Sequence, residues 1–182
     1  MKIDYSIKYI LLTICWSFLG ISSAACASEK KIFHLINERL SYMEAVALYK
    51  SENKLPIDDF VREQIVIENA TSMAADQGLL RDSVEPLFRA QIAVAKAIQY
   101  RSIADWISEP STEQAPNLAT EIRPILTELG DKIISALADF LKNGKVIQEK
   151  QRDSFHKIVT HKHINNADKD QLFNSLLLIR ML

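Results

Sequence analysis

The 182 residues predict an all-α, single-domain bundle of about six helices, and three observations carry that prediction. Apolar residues recur at spacings of three and four almost throughout, glycine occurs only four times, and alternating Val/Ile/Thr runs of the kind that build strands are missing. No internal repeat or low-complexity segment interrupts the pattern.

The chain opens with Lys2 and Lys8, an apolar run from Tyr9 to Ile21, and small residues ending in Ala25-Cys26-Ala27. This order of charge, short apolar core and Ala-x-Ala predicts a signal peptide over residues 1–27, cleaved to leave a domain of 28–182 in the periplasm or outside the cell. The apolar run is too short for a lasting membrane span. Ala24-Ala25-Cys26 is similar to the end of a lipoprotein signal, but Ser23 stands where a bulky aliphatic residue is usual, so cleavage after Ala27 is the expected outcome. Both cysteines, Cys15 and Cys26, fall in the leader, and the exported domain must be stabilised by core burial without a disulfide. Without Lys2, Lys8 and Asp4 the domain carries 20 basic and 22 acidic residues, a net charge of −2. That balance points away from nucleic acid and anionic membranes as partners.

The first helix of the domain is expected from Lys30 to Glu52, with Ile32, Ile36, Met43 and Val46 on its apolar face. Arg39 and Lys50 complete the same stripe. Eleven residues is about three turns, so the two cations point the same way roughly 16 Å apart. A second helix follows Leu55-Pro56-Ile57, opens with Asp58 or Asp59 in its first turn, and ends near Gln77 before Gly78. Asp59, Arg62 and Glu63 lie together on it. A third helix, capped by Asp82 or Ser83 and with Pro86 in its first turn, carries Val84, Phe88, Ile92, Ala95, Ile103 and Trp106 to the core. Gln99 sits in that stripe.

A linker from Ser108 to Asn117, with Pro110 and Pro116, separates these helices from the rest. A fourth helix runs from Leu118 to Lys142, a fifth from Val146 to Thr160, and a sixth, opened by Asn166 with Asp168 in its first turn, to Ile179. Lys132 shares the fourth helix with Leu129, Ile133 and Ala136 and is expected to face inward. His156, His161 and His163 have no acidic or thiol partner at ligand spacing, so the expectation is a solvated loop and no metal. A glycine-rich phosphate loop and a recognisable Ser or Cys nucleophile are both missing.

Taken singly, a basic residue on an apolar face is commonly a snorkelling side chain, Asp59 with Arg62 a surface ion pair, and Gln99 a satisfied core amide. Their joint spacing is more specific. Arg39, Lys50, Asp59, Arg62 and Glu63, with Gln99 further along, resemble the active-site signature of the all-helical (type II) chorismate mutases. The leader, Asn37-Glu38-Arg39-Leu40, Leu55-Pro56-Ile57-Asp58-Asp59, Ala97-Ile98-Gln99-Tyr100 and Asp105-Trp106 resemble the exported, gamma class of that family. The resemblance covers residues 33–107 and is weak beyond the linker, where Lys132 falls where the exported enzymes commonly carry an arginine.

The resemblance implies an isomerase that rearranges chorismate to prephenate within one molecule, with no cofactor and no metal. It implies catalytic roles for Lys50, Gln99, Arg39 and Glu63. Arg39, Arg62 and Lys132 would hold the substrate carboxylates, Lys50 and Gln99 would donate to the ether oxygen, and Asp59 and Glu63 would orient Lys50 and Arg62 and accept from the ring hydroxyl. Ala95 occupies the substrate-contacting position where relatives often have Ser or Thr. A homodimer with one complete site per chain is implied as well. The alternatives are an exported, non-catalytic binding module for an aromatic dicarboxylate and a structural helical protein whose buried charges pair among themselves.

Overall fold

The computed structural model describes the backbone of residues 21–182 and the side chains from Glu29 onward. The leader expected over 1–27 therefore lies outside the described residues for its first twenty positions, and Cys26 has no described side chain. Among the described residues there is no strand beyond one isolated bridge, between Leu79 and Met181, and no helix is long and apolar enough to cross a membrane.

The first expected helix is two: α1, Ile21–Ser41, and α2, Met43–Glu52. Ser41 Oγ bonds to Glu38 O at 2.7 Å, a local competitor of the helical ladder, and one non-helical residue, Tyr42, separates the two elements. α3, Phe60–Asp76, is capped by Asp59, whose carboxylate accepts from the Arg62 N–H at 3.1 Å, and it ends at Gly78 with φ of +79°. α4, Arg81–Ser108, is the longest element. Its cap is Leu80, not Asp82 or Ser83: the Ser83 hydroxyl bonds back to Leu80 O at 2.7 Å, and Pro86 falls in the second turn.

After the linker, Asn117 caps a π-helical turn, Leu118–Ile122, which leads directly into α5, Arg123–Lys142. The wider π turn accommodates Pro124, which lacks the N–H of a regular ladder. Gly144, at φ of +71°, ends α5, and the expected fifth helix shrinks. Residues 145–148 are non-helical, a single 3-10 turn spans Glu149–Gln151, and α6 covers Arg152–Ile158. α7, Asn166–Leu176, is capped by Asn165 and Asp168, each of whose carboxyl or amide oxygens accepts the other's backbone N–H.

α4 lies at the centre, packed on α2, α3 and α7, while α5 lies against α1 and α3. Phe33, Phe155 and Phe173 are fully buried, with ring centroids of 5.1 and 5.5 Å from Phe155 to the other two, and tie α1, α6 and α7 into one core. That core leaves the opposite end, between α2, α3, α4 and α5, lined by charge.

Candidate active site

At that end lies a cavity of about 140 Å³, far above the single-water voids of packed interiors. Met43, Val46, Ile57, Val66, Phe88, Ile92 and Ile134 supply apolar lining. Five cationic side chains, Arg39, Lys50, Arg62, Lys96 and Arg123, share it with three carboxylates, Asp59, Glu63 and Asp131.

Arg39 leaves the last turn of α1 and is 6% exposed, yet its Nε and Nη1 have no hydrogen-bond partner. Burial, with the neighbouring Arg62 guanidinium adding to it, lowers the Arg39 pKa to about 10. A buried cation without a counter-charge costs several kcal/mol, a cost that an entering anion removes. The separation into α1 and α2 still delivers Lys50 to the same cavity. Its Nζ donates to Ile57 O at 2.7 Å, which returns the ammonium onto the loop between α2 and α3. Burial holds the Lys50 pKa below its ordinary value, with Asp59 opposing the shift and Arg123 adding to it.

The loop itself supplies the next residues. Asp59 caps α3 with one oxygen and presents the other to Arg123 Nη2 at 3.5 Å. Arg62, one turn on, has its pKa lowered by burial and then by Arg123. Glu63 accepts from Lys96 Nζ at 3.2 Å and thereby faces α4. On α4, Gln99 is 5% exposed; its Nε2 donates to Ala95 O at 3.0 Å with Met43 Sδ at 3.9 Å, and its Oε1 has no partner. The second N–H faces only the weak sulfur acceptor, which a ligand oxygen can replace. Ala95 lines the cavity with a methyl group, so its polar contribution is its backbone carbonyl.

Of the residues singled out from the sequence, Arg39, Lys50, Asp59, Arg62, Glu63, Ala95 and Gln99 meet at this cavity. Lys132 does not. Its ammonium is half exposed and pairs with Glu128 one turn earlier at 2.6 Å. The cation that α5 contributes is Arg123, at the junction of the π turn and the helix. Arg123, Leu126, Gly130 and Ile134 form the cavity-facing stripe, at spacings of three and four, whereas Lys132 is nine residues from Arg123. Nine residues is about two and a half turns, which puts the two side chains on opposite faces. The phase was legible in the sequence, but Leu129, Ile133 and Ala136 mark the buried flank beside the cavity and misplace it. Lys96 and Asp131 were also missed, because each reads as an ordinary surface charge on an amphipathic helix. Burial raises the Asp131 pKa.

The histidines also correct an expectation. His161 and His163 are nearly buried, at 9% and 10% side-chain exposure, and Glu44 of α2 stands 3.3 Å from His163 Nε2, with Asp105 of α4 at 3.5 Å. The acidic partners come from distant segments, which local spacing does not reveal. Among the described residues no group of three or more His, Cys, Asp or Glu side chains is arranged to hold a metal ion. His161 Nδ1 accepts the His163 N–H at 3.2 Å, so a neutral His161 carries its proton on Nε2, the atom that faces Glu44.

Fold and cavity together define a helical protein with a cationic, apolar-walled pocket suited to a small dianion. The family model for chorismate mutase type II matches residues 26–100. The chain is 36% identical over 174 residues to a secreted chorismate mutase of Yersinia pestis, an alignment covering 96% of this chain and 92% of that protein. It is 35% identical over 154 residues to a monofunctional chorismate mutase of Enterobacter agglomerans, covering 85% and 84%. The crystal structure of the Yersinia pestis secreted enzyme superposes with a TM-score of 0.78 at 37% identity, over 84% of this chain and 98% of the other. The chain belongs to the chorismate mutase family.

Proposed function

We propose that the protein is an exported chorismate mutase that converts chorismate to prephenate in this cavity. The observation that carries the reading is Arg39: a buried, unpaired guanidinium beside four further cations, Lys50 among them, in a pocket that also holds the Gln99 amide. In the rearrangement one ether C–O bond breaks as a C–C bond forms within the same molecule, so neither a nucleophile nor an obligatory proton transfer is needed. The protein's part is to select the compact conformer of a flexible dianion and to stabilise charge on the ether oxygen.

In this reading Arg39, Arg62 and Arg123 bind the two carboxylates, where planar guanidinium forks match carboxylate geometry. Lys50 donates to the ether oxygen together with Gln99, whose second N–H exchanges Met43 Sδ for that oxygen. The Ile57 carbonyl and Asp59 hold Lys50 and Arg123 in place, and the apolar lining raises the strength of each charge contact by excluding water. Glu63 stands within reach of a ring hydroxyl while held by Lys96.

The domain from about Ser28 is placed in the periplasm or outside the cell, released by cleavage after Ala27, and forms a homodimer in which each chain completes its own site. Helices from both sides of the linker wall the cavity, α5 bringing Arg123 opposite the α2–α3 loop, and this closure within one chain supports a site in cis. Mixing the mature protein with chorismate and following loss of its ultraviolet absorbance, with prephenate confirmed chemically, tests the activity. Saturable binding without prephenate would identify a binding module instead. Two differently tagged, separately inactive site variants test the cis site: restored activity on mixing would overturn it.

A further inference from the structure

Lys50 is only as well placed as the backbone carbonyl it bonds to. That carbonyl belongs to Ile57, in a seven-residue connection, 53–59, that is not helical and includes Lys54 at φ of +54°. Connections of this kind are ordinarily the mobile parts of a fold. The next two residues meet opposite sides of the site: Asp59 faces Arg123, while Asp58 points to α4.

Both oxygens of Asp58 are held. Lys96 Nζ donates to Oδ1 at 2.9 Å, and the Tyr100 hydroxyl, one turn further along α4, donates to Oδ2. The same ammonium reaches Glu63 of α3 at 3.2 Å, and Glu63 Oε1 accepts the Asp59 N–H at 3.4 Å. Lys96 also stands 5.8 Å from the centroid of the Phe60 ring. One lysine on a rigid helix thus joins the loop and the first turn of α3. Its charge is spent on two carboxylates, unlike that of Arg39, which is unpaired.

We propose that Lys96, with Tyr100, is a positioning residue for the rearrangement: it clamps Asp58 and Glu63 so that the Ile57 carbonyl holds the Lys50 ammonium at the reacting ether oxygen. This rests on the function proposed above. Lys96 acts through Lys50 and leaves substrate charge to the arginines. Charge state enters through Asp58, which is faced by Tyr100 and Lys96 from α4, by Lys50 from α2 and by Glu63 of α3 through their shared lysine. The Tyr100 hydrogen bond, then that of Lys96, keeps the Asp58 carboxyl below its ordinary pKa. Protonating it at low pH removes the acceptor charge and loosens the clamp.

The test compares Lys96→Met, Lys96→Arg and Tyr100→Phe with wild type in steady-state turnover of chorismate from about pH 2.5 to 8, which brackets the Asp58 titration, and measures the rate at which an amine-reactive acylating reagent labels Lys50. Lys96→Met keeps the apolar stem and removes the charge. Its kcat is expected to fall about tenfold to a hundredfold, the scale of an ångström-level misplacement, with KM changed less than about threefold. Lys96→Arg should recover most of that loss, Tyr100→Phe should move the acid limb of kcat to higher pH, and Lys50 labelling should accelerate in Lys96→Met. An unchanged kcat in a folded Lys96→Met, or a loss confined to KM, overturns the proposal; the second result would make Lys96 a substrate cation. If Lys96→Met does not fold, Tyr100→Phe decides: an unmoved acid limb with unchanged Lys50 labelling overturns the clamp. If wild type turns over no chorismate, the proposed function fails, while labelling of Lys50 still reads the clamp, and equal labelling in wild type and Lys96→Met sinks it separately.

Discussion

Arg39 and Arg62 approach one cavity as like charges, and the guanidinium of Arg39 is buried there with Nε and Nη1 unpaired. Two cations converging without a carboxylate on Arg39 is an arrangement that a bound anion completes. Arg39→Met should therefore abolish turnover while stabilising the ligand-free protein by about 1 kcal/mol, because an apolar side chain replaces an uncompensated buried charge. Thermal unfolding with and without prephenate checks both halves: wild type gains stability from the ligand and the variant does not. A destabilised Arg39→Met would mean that the guanidinium is satisfied.

Arg123 and Lys132 make a paired prediction. Arg123→Ala removes a carboxylate-binding fork at the cavity and should cost about 2–3 kcal/mol in kcat/KM, seen mainly as a raised KM. Lys132→Ala removes an exposed i,i+4 partner of Glu128 and should leave kcat/KM within about twofold and stability within about 0.5 kcal/mol. The reverse order in steady-state kinetics would restore Lys132 to the site.

Lys50→Ala should lose about 3–4 kcal/mol of transition-state stabilisation, the scale for removing a donor at developing charge, with kcat falling accordingly. Near-normal turnover would show that another group serves the ether oxygen.

The same lysine predicts a pH effect on stability. Burial lowers its folded pKa below the ordinary 10.5, so between the two values the unfolded chain binds more protons than the native protein. The contribution of Lys50 to stability therefore rises as pH climbs from its folded pKa toward 10.5. Denaturant titrations of wild type and Lys50→Met from pH 7 to 10 should show this gain in the first and not in the second.

Gln99 predicts a flat rate. An amide donates at any ordinary pH, so wild-type kcat should be level from about pH 5 to 8. In Gln99→Glu the carboxyl must be protonated to donate, and the Ala95 carbonyl at the end of the present 3.0 Å bond disfavours its anion. Activity of that variant should fall as pH rises through the carboxyl pKa. A wild-type rate that collapses at neutral pH would contradict the assignment.

The sequence by itself determined the helical class, because a 3.6-residue apolar period with few glycines has no other way to bury its stripe. It also determined most of the cavity lining: Arg39, Lys50, Arg62, Glu63, Ala95 and Gln99 lie on helices, with Asp59 at the cap of one, and helical phase is short-range and survives the interruption at Tyr42. What tertiary structure decided is where phase depends on packing beyond one helix. Leu129, Ile133 and Ala136 are buried against neighbours beside the cavity, so Lys132 looked inward when Arg123, half a turn out of phase with it, is the side chain that enters. The partners of charged groups were equally out of reach. Lys96 finds Asp58 38 residues away and His163 finds Glu44 from another element, and such pairings exist only after the helices have docked.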